Sequence, residues 1–162
     1  MGETLPWLQN FLPGENPMMF DVENQLSNAQ AFTGGATVST NSYVKQTAAQ
    51  DISIGRRMAL LGHVTTAAGA GSTHTMECIQ ADDAALTSNV QVLNTVTIAA
   101  ATLVKGYEFE IPIPQGVMTK QYLGFRNSST GGTTTVSLDV YLVPQDEIAK
   151  YKSFPKVVSA AV

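Results

Sequence analysis

Tyr107-Glu108-Phe109-Glu110-Ile111-Pro112-Ile113, then Gln121-Tyr122-Leu123-Gly124-Phe125-Arg126, then residues 133–143: the reading of these three segments decides the fold class. Successive side chains of an extended chain point to opposite faces. Tyr107, Phe109, Ile111 and Ile113 therefore share one face, with Glu108 and Glu110 on the other. In the third segment Val136, Leu138, Val140 and Leu142 point inward, while Ser137, Asp139 and Tyr141 point out. Alternation of this kind marks half-buried strands. With Pro114-Gln115-Gly116 as a turn, the three segments read as consecutive strands of a sheet that offers surface and little chemistry.

The same pattern extends upstream. Over residues 58–64, Met58, Leu60, Gly62 and Val64 alternate with Ala59, Leu61 and His63; over residues 73–80, His74, Met76 and Cys78 share a face. Shorter strands are expected at 90–93 and 96–99, with candidates at 20–23 and 36–45 broken by Gly34-Gly35, and a small-residue turn at 67–72. Many short strands separated by turn residues signal a sandwich or barrel. About eight antiparallel strands are the complement of two Greek keys, so the expected fold is an all-β jelly-roll β-sandwich. Pro144 stops the sheet, and residues 145–152 carry acids first and lysines last, as one or two helical turns prefer.

The 162 residues suffice for one domain with arms. The expected division is an N-terminal arm at 1–18, a sandwich at 19–143 and a C-terminal arm at 144–162. The first arm contains Pro6, Trp7, Phe11, Pro13 and Pro17 without helical or strand periodicity, and the second runs into the apolar tail 157–162. A short extended segment cannot bury its own aromatic side chains, which must pack back on the domain or anchor to a neighbour.

Charged residues make up only 14% and the net charge is −4, with no basic residue before Lys45. That balance lacks the clustered Lys and Arg of a nucleic-acid footprint, so no nucleic-acid partner is expected. No apolar run approaches the roughly 20 residues of a membrane-spanning helix, and no membrane partner or secretion signal is expected. Cys78 is the single cysteine, which rules out an intrachain disulfide framework; it is expected to be a buried, inert thiol.

Catalytic signatures are weak throughout. No Gly-x-Ser-x-Gly elbow occurs. His63 and His74 sit on candidate neighbouring strands and would make a poor two-ligand metal site or base pair; both are expected to be simply packed or exposed. Glu108 and Glu110 read as a solvated face rather than a glycosidase pair, whose members come from different elements. Asp82-Asp83 reads as a turn, since Ala84-Ala85-Leu86 adds no oxygen ligands for calcium. Gly69-Ala70-Gly71-Ser72 lacks the Lys-Ser/Thr and the following helix of a phosphate loop. No catalytic residue, metal ligand or cofactor is expected.

Several short segments in order carry a resemblance: Met19-Phe20-Asp21-Val22-Glu23 through Ser27-Asn28-Ala29-Gln30-Ala31, Asp51-Ile52-Ser53-Ile54-Gly55, Ile79-Gln80-Ala81-Asp82-Asp83, Leu103-Val104-Lys105-Gly106-Tyr107-Glu108-Phe109, and Ile113-Pro114-Gln115-Gly116 before Tyr122-Leu123. In this order and spacing residues 19–143 resemble the capsid cement, or decoration, proteins of short-tailed Bordetella-type bacteriophages. The resemblance implies a jelly roll on the exterior of an icosahedral virion, made in the bacterial host cytoplasm. It implies the major capsid protein as partner, with self-association as a homodimer in preference to a trimer. The two arms depart from the compact pattern, and their residues Trp7, Phe11, Tyr151, Phe154 and Pro155 are the expected contacts with capsid or protomer. Jelly rolls also host lectins, so a carbohydrate-binding module is the alternative; an enzyme ranks third.

Overall fold

The computed structural model describes residues 24–69, 73–130 and 134–152, with the side chains of 149–152 excepted. Among them nine strands run in the order β1 (Gln25–Thr33), β2 (Thr37–Val38), β3 (Tyr43–Val44), β4 (Met58–Thr66), β5 (Thr73–Ala81), β6 (Gln91–Ala99), β7 (Glu108–Pro112), β8 (Tyr122–Thr130) and β9 (Thr135–Pro144), followed by helix α1 (Gln145–Lys152). One sheet has the order β1-β9-β4-β7; the other has β2-β8-β5-β6, with β3 also on β8. All pairings are antiparallel. Because β2 and β3 share one place beside β8, the nine strands fill eight places. First pairs with last and so on inward, β1 with β9, β2 and β3 with β8, β4 with β7, β5 with β6. This is a long hairpin rolled into two facing sheets, the jelly roll that the strand count implied.

Two expectations change. The three segments that decide the fold class are not one sheet: β7 and β9 lie in the first sheet, separated by β4, while β8 lies in the second. Alternation specifies which side chains face the core, and both sheets share that core, so it does not tell a strand which layer it joins. The histidines are likewise separated, because β4 and β5 belong to opposite sheets. Elsewhere the candidate at 36–45 is two two-residue bridges, and those at 90–93 and 96–99 are one strand carrying an irregularity opposite Cys78 and Ile79. The candidate at 20–23 lies outside the described residues.

Both sheets contribute to one core. Phe32, Leu60, Val64, Met76, Cys78, Ile111, Leu123, Phe125, Val136, Leu138 and Val140 are fully or almost fully buried, each of these side chains except the smaller Cys78 contributing about 1.5–3 kcal/mol by leaving water. The Phe32 and Phe125 rings meet edge to face at 5.2 Å, bridging the two layers, and Phe109 lies 6.2 Å from Phe125. Cys78 is wholly enclosed and burial pushes its thiol far up, so it is the inert thiol expected.

Each sheet is also covered in part on its outer face. Ile148 of α1 packs on Ala59, Leu61 and Val143, beside Tyr141. On the other sheet Leu86 reaches over Ile79 and Ala81, beside Val38, Val90 and Tyr122. Gly124 lets it settle there: a Cβ at that position would stand 2.1 Å from the Leu86 Cδ1.

Candidate docking surface

The connections 45–57, 82–90 and 113–121, together with the start of α1, gather at one end of the sandwich, as the register of Ala81 with Tyr122 and of Met58 with Pro144 requires. The described chain also enters β1 and leaves through α1 here, since Gln25 pairs with Tyr141. Connections of this length normally need bracing, and two buried polar side chains and two aspartates supply it.

Gln80 is 1% exposed. Its amide donates to the side-chain oxygen of Gln91 at 2.8 Å and to the Val117 carbonyl at 3.1 Å, and its carbonyl oxygen accepts from the backbone N–H groups of Thr119 and Lys120 at 2.9 and 3.1 Å. One inward side chain of β5 thereby holds the 113–121 connection. Asp51 ties that connection to 45–57: it accepts from Ser53 N at 2.9 Å, from Ser53 Oγ at 2.5 Å and from Gly116 N at 2.6 Å. Partial burial pushes its carboxyl up, but these donors outweigh it and hold the group below the usual carboxylate range. Lys45 is buried beside it, donating to the Ala48 carbonyl at 2.9 Å; burial lowers its pKa and the charge of Asp51 opposes that. In the third connection Asp83 accepts from Thr87 N and Ser88 N at 2.9 and 2.8 Å, and Lys120 bonds Asp82 at 2.9 Å. The Asp82-Asp83 pair is thus the turn expected, closed over Leu86, whose backbone is held at a φ of 57°.

Exposed aliphatic side chains crown this braced end. Ile54 is 69% exposed, with Val44 and Val117 also open to solvent. Beside them lie two shallow grooves, one of about 330 Å³ lined by Arg57, Asn94, Pro112, Pro114, Gln115 and Gln145, and one of about 420 Å³ between Gly55, Arg56, Arg57 and α1. Arg56 pairs with Asp146 at 3.2 Å and with Glu147, fastening the 45–57 connection to the helix N-terminus.

The histidines and paired glutamates singled out from the sequence lie apart from the lining of these two grooves. His63 lies on the outer face of its sheet, 3.9 Å from Asp139, whereas His74 is buried against Asn127 at 3.3 Å. Glu108 and Glu110 sit on the half-exposed outer face of β7, Glu110 accepting from Gln145 at 3.0 Å. Among the described residues no three His, Cys, Asp or Glu side chains group as metal ligands, and no helix is long and apolar enough to cross a membrane. Trp7, Phe11, Phe154 and Pro155 lie outside the described residues, as does the side chain of Tyr151, whose backbone belongs to α1. The braces were not foreseen: Gln80 and Asp51 look like ordinary polar residues, and only their alternation with buried neighbours hints at an inward Gln80.

A family model, Bbp16, matches residues 26–142. No curated protein matches. Among solved structures, one titled "Crystal structure of PirA" is similar at 10% sequence identity with a TM-score of 0.38, covering 72% of this chain and 95% of that chain.

Proposed function

The chain belongs to the Bbp16 family, a family of Bordetella phage proteins, and from that premise we propose that it is a structural protein of the virion that cements the capsid. In this reading it binds the outer surface of an icosahedral shell, as a homo-oligomer, and ties neighbouring major capsid subunits together against the pressure of packaged DNA. It performs no catalysis. The observation that carries the reading is the braced end: the connections presenting Ile54 and Val117, beside exposed Val44 of β3, are held by buried Gln80 and by Asp51, at the end where both described termini emerge. A rigid apolar surface loses little entropy on docking. A ligand that binds only the assembled lattice stabilises it by mass action, and several contacts per oligomer multiply modest affinities.

The arm residues Trp7, Phe11, Tyr151, Phe154 and Pro155 would add grip beside that surface, since aromatic anchors dominate interface energetics. The carbohydrate-binding alternative gains nothing from the described residues, whose exposed large apolar side chains are aliphatic rather than a stacking platform. Co-sedimentation with purified capsids tests the proposal. Wild type should pellet with capsids, Ile54→Asp combined with Val117→Asp should weaken binding about tenfold or more with an unchanged Tm, and removal of residues 1–17 should weaken it further. Wild-type protein that stays in the supernatant would sink the cementing role, and a glycan-array hit in its place would favour the lectin reading.

A further inference from the structure

A sandwich of two open sheets has four edges, and each edge exposes backbone groups able to pair with another chain. Three of the four are guarded. On β1, register irregularities follow Gln25 and Ser27, and the chain covers its own edge: Gln30 donates to the Val38 carbonyl at 2.8 Å and accepts from Thr40 N at 2.7 Å, and Asn41 N donates to the Leu26 carbonyl at 3.0 Å. On the other sheet, the β2 and β3 edge is cut into two-residue pieces. The remaining edge of the first sheet, β7, is five residues long and carries Glu108, Glu110 and Pro112. Charges and proline are the usual devices against unwanted pairing.

The fourth edge has neither charge nor proline, and its single irregularity, opposite Cys78 and Ile79, leaves the run from Asn94 to Ala99 regular. β6 runs nine residues, Gln-Val-Leu-Asn-Thr-Val-Thr-Ile-Ala, without a charge or a proline, and no charged residue occurs anywhere from Ala84 to Val104. Its ladder partner is β5, and among the described residues no strand lies on its other side. Among the described residues the Asn94 side chain bridges outward, donating to the Pro112 carbonyl at 2.7 Å, and it also accepts from the neighbouring Thr95 N at 2.8 Å. Val92 is 39% exposed, Leu93 and Val96 are only partly covered, and Thr95 and Thr97 face solvent.

We infer that β6 pairs antiparallel with β6 of a second copy about a two-fold axis, joining the two β2-β8-β5-β6 sheets into one continuous sheet across a dimer. An antiparallel strand edge is its own complement, because the two-fold presents each donor and acceptor to its counterpart. Charge selects the same surface. Two chains of net charge −4 repel on approach, and a contact centred on an uncharged strand places no like charges face to face. The pairing also covers the open flanks of Val92, Leu93 and Val96. It deepens the homo-oligomer part of the proposal above by assigning its interface, and it concerns the isolated protein, so its failure would leave capsid binding untouched.

The test is the mass of the full-length chain by light scattering over a dilution series. Wild type should be dimeric. Thr95→Lys combined with Thr97→Lys, both at exposed positions, should raise the dimer dissociation constant about tenfold or more by placing lysines across the axis, while Glu108→Lys on the guarded β7 edge should not change it. Thr95→Cys or Thr97→Cys should form a covalent dimer on oxidation, with buried Cys78 silent. Circular dichroism verifies that each variant is folded. A monomeric or trimeric wild type, a dimer indifferent to the double lysine variant, or failure of both cysteine variants to cross-link would overturn the inference. So would dimerisation that vanishes on removal of residues 1–17 or 153–162, which would assign the contact to an arm.

Discussion

Adding a single methyl group at Gly62 tests how the core of the first sheet is closed. Gly62 lies mid-strand in β4, directly opposite Phe109 of β7 and Val140 of β9. On local preference alone Gly62→Ala should stabilise, since glycine in a strand costs about 0.5–1 kcal/mol relative to alanine. The tertiary structure reverses the sign. A Cβ at position 62 would stand 2.0 Å from the Phe109 Cζ and 2.4 and 2.6 Å from its two Cε atoms. Carbon atoms in contact sit about 3.5–4.0 Å apart, so the ring must retreat by about 1.5 Å. Phe109 is only 5% exposed and backs onto Phe125, which leaves it little room. Overpacking of this kind costs about 1–3 kcal/mol, and a displacement this large places Gly62→Ala near the upper end. Allowing for the backbone gain, the net loss should be about 2 kcal/mol, a fall in Tm of about 4–8 °C for a chain of this size. Urea unfolding followed by circular dichroism measures it. In a Phe109→Leu background the same substitution should cost at least about 1 kcal/mol less, because neighbours in contact couple. A neutral or stabilising Gly62→Ala, or equal costs in the two backgrounds, would refute the claim that the phenyl ring occupies the space glycine leaves.

Two further outcomes follow from buried polar groups. His74 is fully enclosed: burial lowers its pKa below the ordinary value of about 6.5, the Asn127 hydrogen bond opposes this only in part, and its Nε2 has no hydrogen-bond partner. Below that ordinary value the unfolded chain binds more protons than the folded one, so the contribution is complete above pH 6.5 and lost as pH falls; the urea midpoint should drop between pH 7.5 and 5, a drop that His74→Gln removes. The lowered carboxyl of Asp51 acts in a separate, more acidic window, so a pH dependence unchanged in the His74 variant would show that other groups cause it. Gln80→Leu should cost about 3 kcal/mol by leaving the Thr119 and Lys120 N–H groups and the Val117 carbonyl unpaired; hydrogen exchange at those two amides should quicken by more than the global loss of stability, and unchanged protection would show that Gln80 is not the brace.

What could be read in advance was whatever repeats locally. The strands β4, β5, β7 and β9 alternate because one face of each meets the core, and the inward set of His74, Met76 and Cys78 appears in the structure as expected. β1 was hidden by its own geometry. Its irregularities after Gln25 and Ser27, with Ala29 at a φ of 43°, break the period, so buried Leu26, Ser27 and Phe32 follow no two-residue rhythm. The division of β6 into two pieces has the same origin, one irregularity in the ladder to β5. The braces were concealed for a different reason: besides Gln91, Gln80 finds its partners in the 113–121 connection, 37 to 40 residues downstream, and Asp51 reaches Gly116, 65 residues away.

The sequence by itself determined that this chain is a β-sandwich, that its thiol is buried and that its charges are few, because alternation and composition follow from contact with water and core one residue at a time. It also carried the order of segments that places the chain among phage proteins. Only the tertiary structure decided which strand joins which sheet, that His63 and His74 never meet, and that Gly62 and Gly124 make room for Phe109 and Leu86. It alone revealed that, among the described residues, β6 is the sheet edge without a strand partner on its outer side. Those features depend on pairings across more than a hundred residues in the case of β1 with β9, whose register is set by closing one shared core.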